Sequence, residues 1–131
     1  MKLNLQTVPL VLVPILPTIA MAFEAPNGMA VNPVDDSVFE VVARDDVSGD
    51  AFWCAAGMYA EIKQKKRPGE KMSIARGLGP SETTDRLSAV QFTTDPVTAG
   101  VTPKSMGNDI NEYNVGETLE IGIARGHCLD H

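Results

Sequence analysis

The sequence is poor in the residues that most often carry catalysis or recognise nucleobases. It has two histidines and two cysteines, and its aromatic residues are one Trp, two Tyr and four Phe. So few aromatic rings disfavour a stacking platform for bases or sugars. The Gly-x-Ser-x-Gly motif of serine hydrolases and the Cys-x-x-Cys motif of thiol oxidoreductases are both absent. The composition therefore predicts a protein that needs no cofactor.

Positive charge is also scarce. The chain has 11 Lys and Arg residues against 17 Asp and Glu residues, for a net charge of −6. Without Lys2, residues 23–131 carry ten basic and 17 acidic side chains, for a net charge of −7. An acidic chain disfavours nucleic acid and anionic membrane surfaces as partners. We therefore expect the partner to be an unknown protein or a small ligand.

Long apolar runs are confined to the N-terminus. Lys2 precedes the apolar stretch Val8–Ile19, and Ala20–Ala22 provides a small-x-small cleavage site. This pattern predicts that residues 1–22 are a signal peptide and that residues 23–131 form a single domain. No other stretch is long and apolar enough to span a bilayer. We expect an exported protein, periplasmic or extracellular, with no stable membrane anchor after signal cleavage.

The only cysteines are Cys54 and Cys128. In an oxidising compartment, two cysteines in a small domain most often pair, so the sequence predicts a disulfide between them. On the chain-entropy estimate, closing a loop of this length stabilises the fold by up to about 4.5 kcal/mol. The alternative is two free thiols, one of them catalytic, which export disfavours.

The pattern of apolar residues predicts an α+β fold with one helix packed on a four-stranded, mainly antiparallel sheet, in the order β-α-β-β-β. Residues 23–37, which contain Pro26, Gly28 and Pro33, are predicted to form an extended arm. Residues 95–116 are predicted to form a long polar loop, and loops of this length are often functional. The predicted helix is Ala51–Lys66, and the predicted strands are Val38–Arg44, Lys71–Leu78, Leu87–Thr94 and Glu117–Arg125.

Alternation along these strands separates a core face from a semi-polar face. The core side chains are predicted to be Phe39, Val41, Ala43, Met72, Ile74, Val90, Phe92, Leu119, Ile121 and Ile123, and the semi-polar face carries Glu40, Ser73, Gln91 and Glu120.

The helix has two features that favour specific packing. Gly57 lowers helix propensity by about 1 kcal/mol relative to alanine, which indicates a close approach of the helix to the sheet. Trp53 lies beside Cys54, where packing on the disulfide is favoured over ligand stacking. Basic residues gather at the predicted C-terminal end of the helix, where they suit the helix dipole: Lys63, Lys65, Lys66 and Arg67.

Several short strings of residues are similar to a group of small exported bacterial proteins with a single disulfide. The similarity lies in Phe52–Gly57, Ala75–Ser81 and Ser88–Phe92, together with a cysteine near the C-terminus. The resemblance covers the whole of residues 23–131. It implies export, one disulfide and one domain, and it carries no activity.

Two clusters are candidates for ion binding. His127, Asp130 and His131 place two imidazoles and a carboxylate within five residues, and these groups can ligate a metal ion. Arg76 and Arg125 fall at corresponding ends of predicted strands and could converge on an anion near the helix start. For the first cluster we favour a solvated tail, and for the second we favour pairing of each arginine with a carboxylate.

The leading hypothesis from the sequence is a non-enzymatic binding module that uses the 95–116 loop and the semi-polar sheet face. A small hydrolase or lyase with a site built across the sheet is the second hypothesis. Metal or anion capture by the C-terminal tail or by the arginine pair is the third. A deep pocket that holds a titratable group with a perturbed pKa would favour the enzyme, and a shallow surface would favour the binding module.

Overall fold

A computed structural model describes residues 23–45 and 47–130, so the predicted signal peptide lies outside the described residues. The α+β class is confirmed, but the sheet has seven strands and is joined by three α-helices. The strands are β1 Phe23–Glu24, β2 Ala30–Pro33, β3 Phe39–Val42, β4 Lys71–Gly79, β5 Ala89–Thr93, β6 Lys104–Ser105 and β7 Glu117–Glu120. The α-helices are α1 Gly49–Ile62, α2 Pro96–Ala99 and α3 Ile121–Gly126, and a 3-10 helix covers His127–Asp130.

The strands form one mixed sheet in the order β1-β2-β3-β5-β4-β7-β6. All neighbours are antiparallel except β6 and β7, which are parallel. The register aligns Phe39, Phe92 and Ile74 across three strands. These side chains are buried and belong to the same apolar cluster as α1. The predicted core positions on the three central strands are therefore confirmed.

The segment predicted as an extended arm is part of the sheet. Strands β1 and β2 pair with each other, and β2 then pairs with β3 along its whole length. Ala25, Met29 and Val31 from this segment are buried in the core. β1 has only two residues, too short for an alternation to show, and β2 has four residues that end in Pro33, a residue that argues against a strand.

Helix α1 is shorter at its C-terminal end than predicted, because it ends at Ile62 and not at Lys66. The basic residues that follow are thus outside the helix, and its last turn has none. Gly57 does mark a close approach, but the neighbour is α3 and not the sheet. A Cβ atom at Gly57 would lie 2.9 Å from the backbone nitrogen of Arg125.

The predicted strand Glu117–Arg125 is wrong beyond Glu120. Its partner β4 begins at Lys71, which pairs with Glu120, so the ladder ends there. The chain then turns into α3, where Ile121 and Ala124 are buried at helical spacing. Ile123, predicted as a core residue, is 52% exposed. The alternation of Leu119, Ile121 and Ile123 is typical of a strand. The chain leaves the sheet after Glu120 because β4 offers no further residue for pairing.

The 95–116 segment is more ordered than a polar loop. It contains α2 and β6, and its last residues lie along β4, where the Gly116 N–H donates to Ile74 O and the Leu78 N–H donates to Glu112 O. The buried Glu117 carboxylate accepts hydrogen bonds from the side-chain amides of Asn111, at 2.5 Å, and Asn114, at 3.1 Å. The asparagine-rich tip is therefore fixed to the sheet by Glu117.

Gly116 is a closely packed position in this segment. Its φ is +92°, and a Cβ atom there would lie 2.5 Å from the carbonyl oxygen of Thr102. We expect Gly116→Ala to lower the free energy of unfolding by about 2–3 kcal/mol, because it combines a left-handed backbone with a steric clash. Gly28 provides the matched control, since its φ is +82° and nothing lies within 4 Å of its Cβ position. Gly28→Ala should cost about 1 kcal/mol in the same urea titration. Equal losses of unfolding free energy in the two variants would contradict a steric clash between a Cβ atom at position 116 and Thr102 O.

Within the part of the chain that the structure describes, no helix has the length and apolar character needed to cross a bilayer.

Candidate functional site

The semi-polar face of the sheet divides into a closed half and an open half. Because directly opposed residues of antiparallel strands share a face, Glu40 and Gln91 lie together, and so do Ser73 and Thr118. The residues that the sequence places on this face are thus gathered by the register. What differs between its two halves is the structure that covers them.

The closed half is built around the Glu40 carboxylate, which is fully buried in the middle of the sheet. The turn at residues 81–84 folds over it and turns its donors inward. The Ser81 hydroxyl donates to Glu40 Oε2 at 2.5 Å, and the Thr83 hydroxyl donates to the same oxygen. The backbone N–H groups of Glu82 and Thr83 donate at 3.0 and 2.9 Å, and the Gln91 amide donates at 3.3 Å.

These donors determine the protonation state of Glu40. Burial alone raises the pKa of a carboxyl group, but the hydrogen bonds from Ser81, Thr83 and Glu82 outweigh it. They lower the pKa of Glu40 from 4.5 to about 2. A carboxylate held in this state, with its oxygens occupied, is poorly suited to general acid or base catalysis near neutral pH. The arrangement anchors a turn and covers half of the face.

The open half is a groove between the sheet and the 95–106 part of the long segment. Two depressions share Lys71, Pro103 and Thr118, so they adjoin, and we call them together the groove. One lies on the semi-polar face, and the other reaches the sheet edge, where Leu119 has the parity of the core face. The Thr118 hydroxyl donates to Gly116 O at 2.8 Å and lies 2.6 Å from Ser73 Oγ, so it accepts from Ser73. The groove is further lined by Lys66, Glu70, Thr94, Pro96, Lys104, Ser105, Met106, Leu119, Glu120 and Ile123.

The lining of the groove is mixed in chemistry. Its apolar part comes from prolines and from Met106, Leu119 and Ile123. Its charged part comes from three lysines, Lys66, Lys71 and Lys104, which we call the groove lysines, and from two glutamates. Protein interfaces combine an apolar centre with a polar rim, and the groove has both kinds of side chain.

The groove gathers three cations that have no carboxylate oxygen within 4.0 Å, and among the described residues the same is true of Lys63, Lys65, Arg67 and Arg86 outside it. Three arginines outside it lie within 4.0 Å of a carboxylate: Arg44 with Glu24, Arg76 with Glu82, and Arg125 with Glu61. In contrast, among residues 23–45 and 47–130, none of the groove lysines lies within 4.0 Å of a carboxylate oxygen. The excess of acidic residues in the chain makes this lack of pairing more notable.

The two arginines proposed from sequence as an anion site are held by different carboxylates. Arg125 lies on α3 and donates to both oxygens of Glu61, at 2.8 and 3.0 Å. Arg76 lies on β4, 4.0 Å from Glu82, and also donates to Ala89 O at 3.1 Å. The structure does not bring them together, because the segment that carries Arg125 is a helix packed on α1 and not the end of a strand.

The proposed C-terminal metal cluster is only partly within the described residues. His127 begins the 3-10 helix at the end of the chain. The Asp130 side chain and His131 lie outside the described residues. In the part of the chain that was described, no group of three His, Cys, Asp or Glu side chains is arranged to hold a metal ion.

Cys54 and Cys128 form a disulfide, with Cα atoms 4.9 Å apart. The bond joins α1 to the C-terminal 3-10 helix. Trp53 is fully buried, with its indole N–H donating to Asn111 O at 2.8 Å and its ring 4.9 Å from that of Phe92. Trp53 is therefore a core residue that also fixes the 95–116 segment, and it is inaccessible to a stacking ligand.

Sequence reasoning missed the groove lysines as a group. They were assigned in part to the helix dipole, and Lys104 was one residue in a weakly patterned loop. The available signal was the crowding of five basic residues into positions 63–71 of an acidic chain. The position of Lys104 beside them depends on the pairing of β6 with β7, which the sequence does not show.

Comparison with family models, curated proteins and solved structures finds no match for this chain.

Proposed function

We propose that this protein is a small exported, non-enzymatic binding module whose partner-contacting surface is the groove. The observation that carries the proposal is the groove itself, which is bounded by the long segment and the open half of the semi-polar face. The Glu40 carboxylate, whose pKa is strongly lowered, is not among the residues that line it. This separation favours recognition over catalysis.

Export is part of the proposal and has two supports. A disulfide is typical of proteins outside the reducing cytosol, and Cys54 and Cys128 form one. The sequence of residues 1–22 has the charge, apolar run and small residues of a signal peptide.

The test is to block the groove and measure retention of a partner. Ser105 is exposed, lies on β6 and lines the groove, so Ser105→Trp fills the groove without altering the core. Leu87 is 81% exposed and does not line the groove, so Leu87→Trp is the matched control. We expect molecules retained from an exported-protein fraction by the native protein and by Leu87→Trp to be lost with Ser105→Trp. Equal retention by all three proteins would contradict the proposal.

A further inference from the structure

The charge of the groove is opposite in sign to that of the protein as a whole. The groove lysines supply three positive charges, while Glu70 and Glu120 are the acidic side chains in the lining. Glu70 Oε2 already accepts a hydrogen bond from the backbone N–H of Arg67, at 2.7 Å. Asp95, whose pKa is lowered by hydrogen bonds from Thr98 and by the charge of Lys66, accepts from the Thr98 N–H. The carboxylates nearby are thus partly engaged. The charge of Lys66 acts on Asp95, but among the described residues no carboxylate oxygen lies within 4.0 Å of a groove lysine.

The shape of the groove also restricts its occupant. It follows the terminal strands β7 and β6 along the sheet and continues past Pro103 towards Pro96 on α2. Its apolar side chains, Met106, Leu119 and Ile123, lie at the end that contains Lys104. An extended chain with apolar and acidic side chains would match this lining along its length, since carboxylates could reach the lysines while apolar groups cover the apolar floor.

Resting on the proposed function, we propose that the groove binds an extended, acidic polypeptide segment of a partner protein. The carboxylates of that segment pair with the groove lysines, and its apolar side chains pack on Met106, Leu119 and Ile123. A polyanion such as nucleic acid, or an anionic membrane surface, is disfavoured because the surrounding protein is strongly acidic and repels a large negative surface. A short acidic segment places its charge inside the groove only.

The experiment uses the purified exported protein, isotope-labelled, and four probes of defined composition. The first probe is a short synthetic peptide of Glu, Leu and Ser, and two others replace every Glu by Gln or by Lys. The fourth is a vesicle of anionic phospholipid. We expect the Glu peptide alone to shift the backbone amide resonances of Lys71, Lys104 and Thr118, with an affinity that falls as salt concentration rises.

Charge reversal in the protein provides the matched comparison. Lys71→Glu combined with Lys104→Glu should weaken binding of the Glu peptide about tenfold or more, because two attractive contacts become repulsive. Arg86→Glu makes the same kind of charge change at an exposed residue outside the groove and should leave the affinity unchanged. The proposal is overturned if the Gln peptide binds as tightly as the Glu peptide, if charge reversal has no effect, or if only the vesicle binds. Such a result leaves the binding function standing where Ser105→Trp abolishes partner retention, so the two failures can be told apart.

Discussion

Glu40→Gln is expected to lower the free energy of unfolding by about 3 kcal/mol. The Glu40 carboxylate accepts hydrogen bonds from two hydroxyls, two backbone N–H groups and one amide, and it is fully buried. A glutamine places an NH2 group where one carboxylate oxygen accepted, which leaves buried donors facing a donor and removes charge-assisted bonds. Urea unfolding monitored by circular dichroism measures the loss.

Glu82→Gln is the matched control for this substitution. It removes one carboxylate from the same turn while keeping the Glu82 backbone N–H that donates to Glu40. The Glu82 side chain is exposed, and its ion pair with Arg76 is long, at 4.0 Å. Loss of this pair should therefore cost less than about 1 kcal/mol. A comparable loss in both variants would show that the turn responds to charge in general and not to the buried carboxylate.

The same carboxylate makes stability depend on pH. The folded-state pKa of Glu40 is about 2, below its ordinary value of 4.5, so its contribution is fully present above pH 4.5. That contribution is lost as pH falls from 4.5 through 2, because the unfolded chain then binds a proton that the folded protein does not. The loss amounts to about 3 kcal/mol on complete protonation. In Glu40→Gln this component of the acid sensitivity should be absent.

Removal of the disulfide has the second large expected effect. Cys54 and Cys128 are separated by 74 residues, and their bond ties the C-terminal 3-10 helix to the buried face of α1. Replacing both cysteines by alanine should lower the free energy of unfolding by about 2–5 kcal/mol, since the unfolded chain regains the freedom that the crosslink removes. Reductant should lower the melting temperature of the native protein and leave the double variant unaffected. A native protein whose melting temperature does not change under reductant would contradict this expectation.

Two elements of the fold can be predicted from residues close together in the sequence. The spacing of Phe52, Ala55, Ala56 and Tyr59 predicts α1, and the pattern of Leu87–Thr94 predicts β5, both of which the structure confirms within a few residues. The end of β7 could not be predicted in this way. Ile121 and Ile123 alternate as strand residues do, and only the start of β4 at Lys71 explains why the ladder ends at Glu120.

The sequence predicts which residues share the semi-polar face, but it does not predict which of them are covered. Alternation placed Glu40, Ser73, Gln91 and Glu120 on one face, which agrees with the register. The sequence gives no sign that the turn at residues 81–84 folds back over Glu40, because those hydrogen bonds join residues about 40 positions apart. The division of the face into a closed half and an open groove is a tertiary property.

Site-specific photo-crosslinking in the living cell is the most direct test of the groove as the partner-contacting surface. A photoreactive residue replaces Ser105, inside the groove, or Arg86, exposed and outside it. We predict that irradiation gives a discrete crosslinked product from position 105 and none from position 86, and that Lys71→Glu with Lys104→Glu reduces its yield. A product of equal yield from both positions, or from position 86 alone, would contradict the assignment of the groove.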